Sequence, residues 1–139
     1  MGSVIVVGGG ILGTAVAMRL GELGADVTLF EAGELGAGAS RATFGWVNAS
    51  NKRPEHYYRL NVDGMNEYRR MQREFAGAIW VRFDGHVEWD VREGGAERIR
   101  EKVARLQAWG YTAELVSPRE IRRLEPDLVV PDSVEDVAW

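Results

Sequence analysis

The spacing of hydrophobic residues changes several times along the chain, and each change marks an element. Ser3 to Val7 is a short β-branched apolar run, the pattern of a parallel strand buried on both faces. From Ile11 to Leu23 the period becomes helical: Leu12, Val16, Leu20 and Leu23 recur every three or four residues and predict one buried helical face. Gly24 stands at the C-cap position, and Val27 to Phe30 predicts a second strand. Ala32 to Ser50 then shows no period, and Gly33, Gly36, Gly38 and Gly45 predict a long, backbone-permissive loop.

Beyond the loop, Pro54 to Phe75 predicts a long helix with Tyr58, Val62, Met65, Tyr68, Met71 and Phe75 as its core stripe. Arg59, Arg69, Arg70 and Arg73 fall on solvated positions, and Gly64 costs about 1 kcal/mol against alanine. Ile79 to Phe83 and His86 to Val91 both alternate, and the Asp84-Gly85 pair between them predicts a two-residue hairpin that must join a larger sheet. Ala96 to Trp109 predicts an amphipathic helix, with Ile99, Val103, Leu106 and Trp109 on one face and Arg98, Glu101, Lys102 and Arg105 elsewhere. Gly110 stops it. Ala113 to Val116 predicts a short strand. Ser117 to Glu120 is a capping box that opens a small helix through Leu124, which Pro126 ends. His56 and His86 read as surface and structural histidines.

The chemistry concentrates at the amino-terminal end. Gly8, Gly10 and Gly13 form G-x-G-x-x-G between the first strand and the first helix. Gly8 permits the tight turn, Gly10 leaves room for a pyrophosphate, and Gly13 lets the helix pack closely on the sheet. Glu31 closes the second strand, about 20 residues on, where an acid can accept hydrogen bonds from both adenosine ribose hydroxyls. The four features together specify dinucleotide binding more sharply than the glycines alone. Glu31 would repel a 2′-phosphate, which disfavours NADP. In the loop, Ser40 and Thr43 offer hydroxyls and Arg41 a cation to phosphates, while Ala39 and Gly45 allow a flat ligand to approach.

Composition narrows the class. The chain has 139 residues, 45% hydrophobic and 27% charged, which suits one compact domain or two partial ones. A net charge of −4 and a pI near 5.3 argue against a general nucleic-acid or anionic-membrane surface and favour a small-molecule partner. The absence of cysteine removes disulfides, thiolate catalysis and cysteine metal sites from this chain. No histidine pair has metal-ligand spacing, so no metal site is expected. The opening apolar run is broken by three consecutive glycines and has no basic leader, and no stretch approaches the ~18 apolar residues of a membrane span. A cytoplasmic location is the expectation.

The run from Val4 to Ala49 resembles the amino-terminal flavin-binding segment of FAD-dependent oxidoreductases of the D-amino-acid oxidase and glycine oxidase superfamily. The shared features are three adjacent glycines followed by two aliphatics, a strand ending in Glu, a G-x-G-[AS]-S loop and a later glycine. VSPREIRRLEPDL, from Val116 to Leu128, resembles a serine-capped turn at the edge of the family's substrate domain. The resemblance implies that Gly8, Gly10, Ile11, Leu12 and Gly13 hold the pyrophosphate, and that Glu31 with Ala32 holds the adenosine ribose. Ala39 and Ser40 would contact the phosphate and ribityl region, while Phe44, Gly45 and Trp46 would lie beside the isoalloxazine. Phe44 and Trp46 also read as core aromatics. Residues 32–55 lack the histidine or cysteine at these positions that would tether a flavin, so the FAD is expected to be non-covalent.

The fold class implied is α/β: a Rossmann-like FAD-binding βαβ unit, then the start of an α+β substrate domain, together an incomplete fold. The division expected is residues 1–76 for the amino-terminal part of the FAD domain and 77–139 for a partial substrate domain. The family's returning strands and substrate anchors lie beyond the matched part, so the chain reads as a fragment or one piece of a split flavoprotein, with a second chain to complete it. The activity implied is oxidation of amino acids or other amines at the carbon next to nitrogen. The alternatives are a non-catalytic dinucleotide-binding module and an NAD-dependent dehydrogenase. Catalytic residues stay unassigned, with Arg41, Trp46 and Asn48 the nearest candidates for shaping the flavin's reactive edge.

Overall fold

The computed structural model describes residues 2–75 and 81–139. The chain divides into two compact units, Met1–Trp46 and Val47–Trp139. The first contains β1 (Ser3–Val7), α1 (Ile11–Glu22), β2 (Asp26–Phe30) and one short helical turn, α2 (Ala39–Ala42). β1 and β2 pair in parallel, from Ser3 opposite Asp26 to Val7 opposite Phe30. Parallel neighbours need a crossover, and α1 supplies it. Gly24, at φ 82°, closes the helix: its N–H donates to Gly21 O at 2.9 Å and the Ala25 N–H to Leu20 O at 3.0 Å.

Within this unit the two sheet faces differ. Val4, Val6, Val27 and Leu29 are half-buried, whereas Ile5, Val7 and Phe30 are 66%, 83% and 57% exposed. The burial expected on both faces of β1 is therefore not realised, because two strands and one helix make a single covered face. Only part of the α1 face that its apolar spacing predicts is covered. Leu12, Val16 and Leu23 are exposed, while Gly13, Ala17 and Leu20 are half-buried. α1 makes a close approach at Gly13, where a Cβ would clash with the Gly8 carbonyl oxygen.

The second unit contains α3 (Glu55–Glu74), α4 (Gly95–Ala108), β3 (Leu115–Val116), α5 (Pro118–Leu124) and β4 (Val137–Ala138). Tyr58 and Met65 of α3 share one core with Ile99, Val103 and Leu106 of α4, together with Ala49, Ala113 and Ala138. α3 therefore belongs to the second compact unit, and the division between units falls earlier than the domain boundary expected after residue 76. Of the predicted α3 stripe, Tyr58 and Met65 are buried, whereas Phe75 is exposed. Val116, Ile121, Val130, Val134 and Val137 form a second cluster under α5. Ser117 caps α5 as expected, its Oγ accepting the Glu120 N–H at 3.2 Å.

The predicted hairpin is replaced by a different pairing. Ile79 and Trp80 lie outside the described residues, and Val81 to Val87 carry no strand. Gly85 has a φ of 103°, but Asp84 does not share it, so the two-residue turn with both φ values positive is not made. Instead Glu88 exchanges backbone hydrogen bonds with Ala138, at 3.0 and 2.9 Å, while β4 pairs antiparallel with β3. Lys102, predicted off the apolar face of α4, is only 7% exposed. Its ammonium donates to Asn51 Oδ1 at 2.7 Å and pairs with Glu88. His86 Nε2 stands 3.4 Å from the same carboxylate, and burial pushes its pKa below the ordinary histidine value.

Candidate dinucleotide-binding site

β1 runs out at Val7, and the chain turns at Gly8, whose φ of 104° favours glycine. The Gly8 N–H donates to Phe30 O at 2.8 Å, which holds the turn against the end of β2. A Cβ at Gly13 would lie 1.8 Å from the Gly8 carbonyl oxygen, so only glycine lets α1 start this close to the strand. The first-turn N–H groups of α1 have no intrahelical acceptor and lie at the positive end of the helix dipole. Its N-cap, Gly10, offers no side chain to satisfy them.

Glu31 ties this turn to the loop after β2. Its Oε2 accepts the Gly9 N–H at 2.7 Å and its Oε1 the Gly33 N–H at 3.0 Å. These bonds, Gly9's foremost, hold the Glu31 carboxyl below the ordinary glutamate value, so it is charged at neutral pH. A carboxylate has about four lone-pair sites, so Glu31 can accept further hydrogen bonds beside these two. The Gly36 N–H donates to Gly9 O at 2.9 Å, a second tie between the same loop and the turn.

α2 brings the loop's hydroxyl to the helix start. Ser40 Oγ accepts the Ile11 N–H at 2.9 Å, and a Cβ on Gly10 would lie 3.2 Å from that oxygen. Gly8, Gly10, Ile11, Gly13, Glu31 and Ser40 are thus one constellation, with Leu12 on the first turn of α1, Ala32 directly after Glu31, and Ala39 opening α2. A charged acceptor, helix-start donors, a hydroxyl and a bare glycine are the donor set that a pyrophosphate and a ribose require, so these residues fit FAD.

Phe44, Gly45 and Trp46, expected at the flavin end, follow α2. Phe44 is 88% exposed and meets Trp46 edge-to-face at 6.1 Å, with Gly45 at φ 72° between them. Neither ring belongs to a core cluster. Arg41 pairs with Glu34 at 3.5 Å. Asn48 lies in the second unit, where its Oδ1 accepts the Ser50 N–H and hydroxyl, both at 3.2 Å. Sequence reading missed Gly9, Gly33 and Gly36, whose N–H and C=O groups connect turn and loop. Their only sequence signal is the density of glycine on either side of Glu31. No group of acids and histidines that could hold a metal occurs among the described residues, and no helix among them is long and apolar enough to cross a membrane.

The model of a family described as FAD dependent oxidoreductase matches residues 3–137. The chain belongs to that FAD dependent oxidoreductase family. Within the family's reach, it is 27% identical over 132 residues to a Mus musculus protein, the mitochondrial pyruvate dehydrogenase phosphatase regulatory subunit, covering 94% of this chain and 15% of that one. A glycine oxidase of Bacillus licheniformis is 27% identical over 125 residues, covering 88% of this chain and 34% of that enzyme. The crystal structure of glycine oxidase from Bacillus cereus ATCC 14579 shares the fold with a TM-score of 0.79 at 24% identity, over 98% of this chain and 37% of that one. The chain therefore spans well under half the length of these relatives. FAD is the family's cofactor.

Proposed function

We propose that this chain is the FAD-holding part of an oxidoreductase that oxidises an amino acid or another amine at the carbon next to nitrogen. The observation that carries the reading is the Glu31 clamp: one carboxylate bonded to both Gly9 and Gly33 at the mouth of a glycine turn that opens a helix. The glycine oxidase relative supports the substrate class. When bound, FAD supplies the redox chemistry, taking a hydride equivalent from that carbon. The chain's own residues bind and orient. Glu31 accepts ribose hydroxyls, the first turn of α1 and Ser40 meet the pyrophosphate, and Phe44 with Trp46 borders the flavin ring. The cofactor is held without a covalent bond. Ala32 and Ala39 are small enough to let it lie close.

A further polypeptide segment, in this protein or a partner, covers the sheet face that carries Ile5, Val7 and Phe30 and supplies the remainder of the substrate site. Its support is the exposure of those three side chains. A second reading, a flavin-binding module without turnover, is favoured by the regulatory-subunit relative. The family match weighs against a nicotinamide cofactor.

The test is the visible spectrum of the chain after incubation with FAD and gel filtration, beside a Gly10→Val, Glu31→Ala double variant. Co-eluting flavin that is lost in the variant is the expected result. Flavin retained equally by both would refute the site. Bleaching on anaerobic addition of glycine or another amino acid then separates the enzyme from the inert module.

A further inference from the structure

The second unit holds a cleft of about 630 Å³ between α4, the Glu88–Arg92 segment and the Asn51–Arg53 segment. Five cations line it, and three of them already have partners. Lys102 is held by Glu88 and Asn51. Arg92 and Arg98 both bind Asp90, at 2.6 and 2.9 Å, and drive its carboxyl far below the usual range, with Arg92 the larger influence. The Arg53 and Arg105 side chains make no hydrogen bond or ion pair among the described residues. The Arg105 guanidinium lies 5.8 Å from the Trp109 ring centre, and its Nε is buried without an acceptor. Burial and the nearby Arg53 charge both work against the Arg105 cation, while Glu101, one turn earlier on α4, favours it.

Two like charges bordering one cleft, one with a buried donor unmatched, form an arrangement that an anion completes. Guanidinium groups present planar forks of N–H donors suited to two oxygens of one oxyanion. Trp89 and Val91 also line the same cleft. We propose that this cleft binds a small organic oxyanion, a carboxylate or a phosphate ester, between Arg53 and Arg105, with its body against Trp89 and Val91. The proposal is independent of flavin binding, since every residue it uses lies in the second compact unit.

The experiment is an amide chemical-shift titration of the 139-residue chain with phenyl phosphate and, separately, with benzoate, at ionic strength held constant with chloride. The expected result is a saturable shift at Arg53, Glu101 and Arg105. Arg53→Gln should weaken binding at least tenfold, and Glu101→Gln should strengthen it. Arg53 is exposed, so its variant should keep the wild-type circular dichroism spectrum and melting temperature. Arg119→Gln removes the same charge from an exposed site on α5 outside the cleft lining and should bind like wild type. Tighter binding of phenyl phosphate assigns a phosphate ester, and tighter binding of benzoate a carboxylate. A response that never saturates, an equal loss in Arg119→Gln, or wild-type affinity in folded Arg53→Gln would overturn the proposal.

Discussion

A single methyl group on Gly13 would stand 1.8 Å from the Gly8 carbonyl oxygen, so the start of α1 would have to retreat from β1. Gly13→Ala is expected to cost about 1–3 kcal/mol as overpacking and to abolish FAD retention on gel filtration. Gly21, in the same helix, meets nothing within 4 Å when given a Cβ. Gly21→Ala should raise stability by about 0.5–1 kcal/mol and leave retention unchanged, so the pair separates packing from propensity. Glu31 makes a prediction about acid. Its folded pKa is depressed, so its contribution is present above the ordinary glutamate value and is lost as pH falls through the lower folded value. The melting temperature of the native chain should fall more steeply over that acidic window than that of Glu31→Gln.

α4 and α1 show when an apolar period can be read and when it cannot. In α4 the predicted Ile99, Val103 and Leu106 are all buried, because their large apolar side chains lie on one face and direct it into the core. Leu106→Ala should cost about 2–5 kcal/mol, measurable by denaturant unfolding. In α1 apolar residues occupy more than one face, and the packed side is chosen by the close approach at Gly13. Lys102 was misread for a related reason. Its place in the period of α4 says nothing of Asn51 and Glu88, the distant partners that make its burial tolerable. α5 is the opposite case, since its cap is local. Ser117→Ala should lower stability by about 1 kcal/mol, visible as a lower melting temperature.

For the chain as a whole, the bare sheet face is the main consequence. Ile5, Val7 and Phe30 form an exposed apolar strip beside an edge strand, a template for association with another surface. The isolated chain is expected to self-associate in a concentration-dependent way. A Val7→Thr, Phe30→Thr double variant should shift light scattering toward the monomer. If a segment that covers this face, as proposed above, is supplied, the wild-type chain should become monodisperse and the double variant should bind that segment more weakly.

The glycine turn, the parallel strands with their crossover helix, the acid at the end of β2 and the cap of α5 were all legible in the amino-acid order. Each rests on interactions between near neighbours, or on a backbone conformation open to few residue types. The tertiary structure alone decided which side of α1 meets the sheet, which partner Glu88 pairs with, where the Lys102 charge is buried, and that Ser40 reaches the Ile11 N–H. Those outcomes join residues far apart in the chain, and local spacing carries no record of the competing surfaces among which they were selected.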